Sequence, residues 1–119
     1  MKLSLAILLL ALPAYAYTPL PDGVANKYAD AIYRVEGGEK ATYAYGIRSV
    51  HYATTNEARA ICIRTVKNNY IRWQKAGCTN NFEDFLASRY CPIGADNDPK
   101  GLNRNWLNNF RRICAALEK

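Results

Sequence analysis

The sequence predicts a mainly α, single-domain protein with four to five helices, a short irregular or β segment after the first helix, and disulfide staples. Three observations carry this reading. Apolar residues recur at helical spacing in separate stretches between Ala25 and Leu117. Behind the first stretch the pattern breaks at Gly37 and Gly38 and resumes only after Tyr52. Cys62, Cys78, Cys91 and Cys114 follow an apolar leader, and an even number of cysteines in a small exported chain reads as a disulfide framework.

The leader comes first in the chain. Lys2 precedes an apolar run from Leu3 to Leu12, and Ala14-Tyr15-Ala16 gives a small-residue ending. Residues 1–16 therefore read as a secretory signal cleaved after Ala16. The run of 10 residues falls short of the ~20 that span a bilayer, and residue 17 is tyrosine, so no membrane or lipid anchor is expected. The expected mature chain, residues 17–119, is long enough for one compact domain, secreted or periplasmic. Loss of Lys2 with the leader leaves 15 Lys+Arg against 10 Asp+Glu, a net +5 suited to an anionic surface such as a cell wall.

The mature elements follow in order. The first helix, with Asp22 as its N-cap, carries the stripe Ala25, Tyr28, Ala29, Ile32 to about Glu36 and ends at Gly37. Gly37 to Tyr52 is irregular, and Tyr43-Ala44-Tyr45-Gly46-Ile47 alternates as a short strand or hairpin does. Thr54 and Glu57 form a capping box for a long helix reaching about Ala76, with Ala58, Ile61, Cys62, Val66, Tyr70 and Trp73 inward. Asn80 and Asn81 open a shorter helix through Tyr90, ended by Cys91-Pro92. After a polar loop containing Asp96 and Asp98, Asn103 caps the last helix, with Trp106, Leu107, Phe110, Ile113, Cys114 and Leu117 on its stripe. Trp73 and Trp106 read as core residues, Trp106 with a cleft position as the alternative.

Helix lengths prune the disulfide pairings. Sixteen residues, mostly helical, separate Cys62 from Cys78, roughly 20 Å of helix against a bridging limit near 7 Å. Cys78 and Cys91 sit at opposite ends of the shorter helix. Cys62–Cys91 with Cys78–Cys114 is the pairing left. No Cys-x-x-Cys occurs and His51 is the single histidine, so neither a metal nor a cofactor is expected.

Glu36 carries the functional signal. It is the next inward position after Ile32, yet a carboxylate at a helix C-terminus faces the unpaired carbonyls there. A carboxyl in partly apolar surroundings holds its proton and serves as a general acid near neutral pH, the chemistry that breaks a glycosidic bond. The glycines beyond it allow close approach of a sugar chain. Tyr43, Tyr45 and Tyr52 offer flat faces with polar tips.

The stretch AIYRVEGGEKATYAYGIRS, residues 31–49, resembles the start of the lysozyme-like superfamily, specifically small lytic transglycosylases and goose-type lysozymes. There a helix ends in Glu-x-Gly or Glu-Ser-Gly and a glycine-containing segment follows. The resemblance implies a lysozyme-like fold with Glu36 as the catalytic acid. It places Tyr45-Gly46-Ile47-Arg48-Ser49 at the family's Gly-Leu-Met-Gln substrate segment, with Arg48 where a Gln is expected. FLASRYCP, residues 85–92, falls where the family has an Ala-Tyr-Asn helix, so Tyr90 is expected to reach the Glu36 carboxyl, with Cys91 in place of Asn. Tyr43, Tyr45, Gly46, Ser49 and Tyr90 are the expected substrate contacts.

The implied activity is cleavage of peptidoglycan glycan strands by a monomer. Two-carboxylate hydrolysis needs a partner for Glu36, and the candidates are Glu39, Asp96 and Asp98. A single catalytic Glu suits the lytic transglycosylase route, with a hydrolysing muramidase or a non-catalytic wall-binding protein on the same fold as alternatives. A nucleic-acid partner has only Arg111-Arg112 and the net charge behind it and is not predicted.

Overall fold

A proline and an aspartate start the first helix. In the computed structural model, which describes residues 17–93 and 100–118, α1 spans Asp22–Val35. Pro21 occupies the N-cap position, so Asp22 is the first helical residue and not the predicted cap. Its carboxylate instead meets Lys67 Nζ at 2.6 Å, while its charge still sits beside the helix N-terminus. The predicted signal segment, Asp96 and Asp98 lie outside the described residues.

Helix α2 spans Thr55–Lys75. Thr54 Oγ1 accepts the Glu57 N–H at 3.1 Å as predicted, and Glu57 reaches one residue further back than the box requires, to the Ala53 N–H at 2.7 Å. Gly77, at φ +90°, ends the helix. The Cys78 and Gly77 N–H groups close on the carbonyls of Trp73 and Gln74 at 3.1 and 3.0 Å. Helix α3, Phe82–Tyr90, is capped by Asn81, whose Oδ1 accepts the Asp84 N–H at 2.8 Å. Helix α4 spans Arg104–Leu117. Asn103 stands at its N-cap position but donates its side-chain N–H to the Pro92 carbonyl at 2.8 Å, which ties the start of α4 to the end of α3.

Small residues let α1 lie between its neighbours. Ala25, Ala29 and Ala31 are fully buried beside Ile32, and α1 packs on both α2 and α4 while α3 bridges those two. Cys62 and Val66 of α2, Leu86 of α3 and Phe110 of α4 complete the fully buried centre. Each such Ile, Leu or Phe contributes about 1.5–3 kcal/mol by leaving water. Tyr28 joins the layers, its ring centroid 5.4 Å from Phe110 and 5.8 Å from Phe82. The stripes predicted from helical spacing are these core faces, except that Ile61 lies outside the core and lines a surface pocket.

Two expectations are corrected. The segment expected as a strand or hairpin is a pair of 3-10 turns, Gly38–Lys40 and Ala44–Gly46, and no strand occurs among the described residues. Tyr45 and Gly46 both take left-handed backbone, at φ +58° and +69°, and two such residues in succession cannot keep the alternation of a strand. The expected bridges Cys62–Cys91 and Cys78–Cys114 are also not formed, and no disulfide joins the cysteines. Tyr90, not its neighbour Cys91, reaches the buried Cys62 thiol, with its hydroxyl 3.8 Å from Sγ. Cys78 is exposed in the turn after α2 while Cys114 is buried on α4. No helix among the described residues is long and apolar enough to cross a membrane.

Candidate active site around Glu36

The end of α1 aims Glu36. Helical geometry stops at Val35, and Glu36 forms the C-cap at φ −81°, ψ 1°, its N–H still bonded to the Ile32 carbonyl at 2.9 Å. Gly37, in left-handed conformation at φ +112°, turns the chain away. The half-buried Glu36 side chain is thereby left lining a cleft of about 480 Å³.

Two contacts from distant segments fix its carboxylate. Trp106 donates its indole N–H to Glu36 Oε1 at 2.8 Å. The indole is only 7% exposed and is stacked between Tyr90 and Phe110, with centroids 5.6 and 5.0 Å away, so the donor has little freedom to swing. From the other side comes Gly46. A Cβ at that position would stand 2.6 Å from Glu36 Oε2 and 2.7 Å from its carboxyl carbon, so a side chain there would push the carboxylate aside, and the backbone at φ +69° disfavours one in any case. Oε2 accepts no hydrogen bond from the described residues.

The turn carrying Gly46 is itself clamped. Tyr90 donates its hydroxyl to the Tyr45 carbonyl, and Arg59 reaches the Tyr45 hydroxyl at 3.4 Å while holding Asp30 at 2.7 Å. The Tyr45 ring packs on Tyr33 with centroids 5.2 Å apart. Tyr52 adds a further tie by accepting the Ala44 N–H at 2.9 Å. A non-glycine residue in left-handed backbone costs of order 1–3 kcal/mol and persists only where its surroundings fix it, and these contacts do so at Tyr45. Burial pushes the Tyr90 hydroxyl well above the usual tyrosine range, so it stays a donor to the Tyr45 carbonyl.

The expected contacts divide accordingly. Tyr43, Gly46, Ser49 and Tyr90 line the cleft with Glu36. Tyr43 is 45% exposed, with the Arg48 guanidinium 5.2 Å above its ring. Tyr45 is instead a core residue at 4% exposure, and Tyr52 is occupied in the backbone tie, so neither offers a ring face to the cleft. Tyr90 holds the turn and not the carboxyl; the residue that reaches Glu36 is Trp106. Trp106 is thus both the core residue its stripe implied and a partner of the acid. Nothing in local spacing marks that second role, because 70 residues separate donor from acceptor.

Glu39 is exposed on the first 3-10 turn and does not line the cleft. Among the described residues Glu36 is the single carboxylate on the cleft wall. No group of His, Cys, Asp and Glu among them is placed to hold a metal ion. Burial pushes the Cys62 and Cys114 thiols up to about 12 and about 11, which leaves them protonated near neutral pH and without nucleophilic character. The cleft therefore offers one positioned carboxyl, an exposed aromatic face and a cation. Compared with family models, curated proteins and solved structures, the chain matches none.

Proposed function

We propose that this is an exported, lysozyme-like enzyme that cleaves the glycan strands of peptidoglycan, with Glu36 as its single catalytic carboxyl and the lytic transglycosylase route as its reaction. The observation that carries the reading is the state of the Glu36 carboxyl: Oε1 is fixed by Trp106, while Oε2 lies against a glycine at the cleft wall with no hydrogen bond from the described residues. A carboxyl hands over and takes back a proton through an oxygen that can come within hydrogen-bond reach of the reacting atom, and Oε2 is left open for that contact.

In this reading the protonated Glu36 gives its proton to the bridging oxygen as the bond from the muramic C1 breaks. The leaving sugar departs with that proton as a hydroxyl, and positive charge develops at C1. The carboxylate then accepts the proton of the same muramic residue's C6 hydroxyl as its oxygen bonds to C1, closing an anhydro ring and restoring the acid. Attack from within the same residue has the advantage of proximity over attack by a free water. Tyr43 supplies a flat, exposed surface for a sugar ring.

The test is digestion of purified sacculi with the mature protein, followed by mass spectrometry of the products. Anhydro-muramic ends, lost in Glu36→Gln, are the expected result. Reducing muramic ends would replace the transglycosylase step with hydrolysis, and undigested sacculi would leave a wall-binding protein.

A further inference from the structure

A second pocket of about 220 Å³ adjoins the cleft and shares Gly46, Arg48, Ser49 and Tyr90 with it. Its wall carries two cations, Arg48 and Arg89, and no carboxylate. Of the other arginines, Arg59 pairs with Asp30 at 2.7 Å and Arg111 with Asp84 at 2.8 Å, and the rest form no ion pair among the described residues. Arg48 and Arg89 make no ion pair among the described residues. They rest instead over the rings of Tyr43 and Phe85, at 5.2 and 5.9 Å. Two guanidinium groups braced on aromatic faces beside an acid-free pocket are suited to a carboxylate, which each can hold by paired N–H donors.

The same pocket contains an unpartnered acceptor. Asn69 lines it and is 4% exposed. Its side-chain N–H is occupied by the Thr65 carbonyl at 2.9 Å, and its Oδ1 is the buried side-chain oxygen without a hydrogen-bond partner among the described residues. Such an orphan costs about 1–3 kcal/mol. An N–H group entering the pocket supplies what that oxygen lacks. Ile61, on the same helix as Asn69, and the half-exposed Val50 add apolar wall to the pocket.

We propose that this side pocket binds the peptide stem of the glycan strand, holding one acylated acidic residue by its carboxylate at Arg48 and Arg89 and by its amide N–H at Asn69. The inference rests on the peptidoglycan reading of the cleft and extends it. Gly46 touches the Glu36 carboxyl and also lines the side pocket, so a muramic residue cut at Glu36 has its lactyl peptide within reach of the pocket. The enzyme then selects strands that still carry stems, in register with the bond to be cut.

The test measures binding and is independent of turnover. N-acetyl-L-alanyl-D-glutamate is titrated into the full mature protein and followed by amide NMR shifts. Expected are shifts at Asn69, Val50 and Arg89, with affinity about tenfold weaker for the peptide's diamide and for Arg89→Gln, the scale of one charge-assisted hydrogen bond. Arg48→Gln gives a second variant with the same expectation. The peptide also competes with stem-bearing strands for Glu36→Gln protein, which leaves the strands intact, and does not compete with strands stripped of stems by an amidase. Equal affinity for the diamide, shifts confined to other surfaces, or failure to compete with stem-bearing strands would overturn the pocket assignment. Sacculus digestion reports separately on the cleavage reading, so the two fail independently.

Discussion

The Glu36 carboxyl owes its orientation and its access to the cleft to different segments of the chain. The C-cap geometry after α1 aims the side chain, Trp106 fixes Oε1 at 2.8 Å, and Gly46 leaves room at Oε2. Glu36→Gln keeps the acceptor for the Trp106 indole but has no proton to give. Loss of at least about 100-fold in strand cleavage is expected, the lower end of what general acid–base catalysis supplies. Stability is expected to hold or rise by about 0.3–1 kcal/mol as a negative charge leaves the helix C-terminus, read by thermal unfolding. Retained turnover in that variant would remove Glu36 from the mechanism. Trp106→Phe isolates the donor: the ring still stacks between Tyr90 and Phe110, but the N–H is gone. Cleavage should fall about tenfold, the scale of one hydrogen bond to a charged group, with folding retained. Unchanged kinetics would show that the indole only packs.

At the scale of elements, the four helices were legible because their signals are local. Stripe spacing, the Thr54–Glu57 cap, Asn81 and the stopping glycines Gly37 and Gly77 all lie within a turn or two of what they control. Asp22 is the first helical residue because Pro21 takes the N-cap, and Asn103 stands at the N-cap as its spacing implied but turns its side chain to the distant Pro92 carbonyl. The turn at Ala44–Gly46 was not legible from local signals. Its conformation is held by Arg59 and Tyr90, 14 and 45 residues away from Tyr45, and alternating aromatics alone look like a strand. Gly46→Ala tests whether that turn is built for the acid. The new methyl meets the Glu36 carboxyl at 2.6 Å in a backbone region that side chains avoid, so the variant should lose about 1–3 kcal/mol of stability and most of its cleavage activity. Wild-type values of both would mean that the turn yields easily and does not define the site. Tyr90→Phe removes the clasp on the Tyr45 carbonyl while keeping the stack on Trp106. It should cost about 1 kcal/mol, and a melting curve identical to wild type would show that the clasp contributes nothing.

Burial keeps two thiols and a phenol protonated above the pH at which such groups ordinarily ionise. The four cysteines read as a disulfide framework because chain length and the leader point to an oxidising destination, but spacing alone does not show which thiols the helices seal inside. Cys62 is fully buried and Cys114 is 5% exposed. Burial raises their thiols from an ordinary value of 9.0 to about 12 and about 11, and burial likewise raises Tyr28 from 10.0 to about 12. The consequence for stability has a definite sign. Below pH 9 folded and unfolded chains both keep these protons, so their contribution is fully present. Above it the unfolded chain releases them while the folded chain does not, and each group then lowers stability by about 1.4 kcal/mol per pH unit until its folded-state value is passed. Urea midpoints of the reduced protein should therefore be level from pH 7 to about 8.5 and fall steeply towards pH 11. Cys62→Ala lowers the plateau by creating a cavity beside Val66 and Tyr90, yet it makes the alkaline fall shallower by one group. An alkaline slope unchanged by that substitution would mean that the Cys62 thiol is not held protonated by the core.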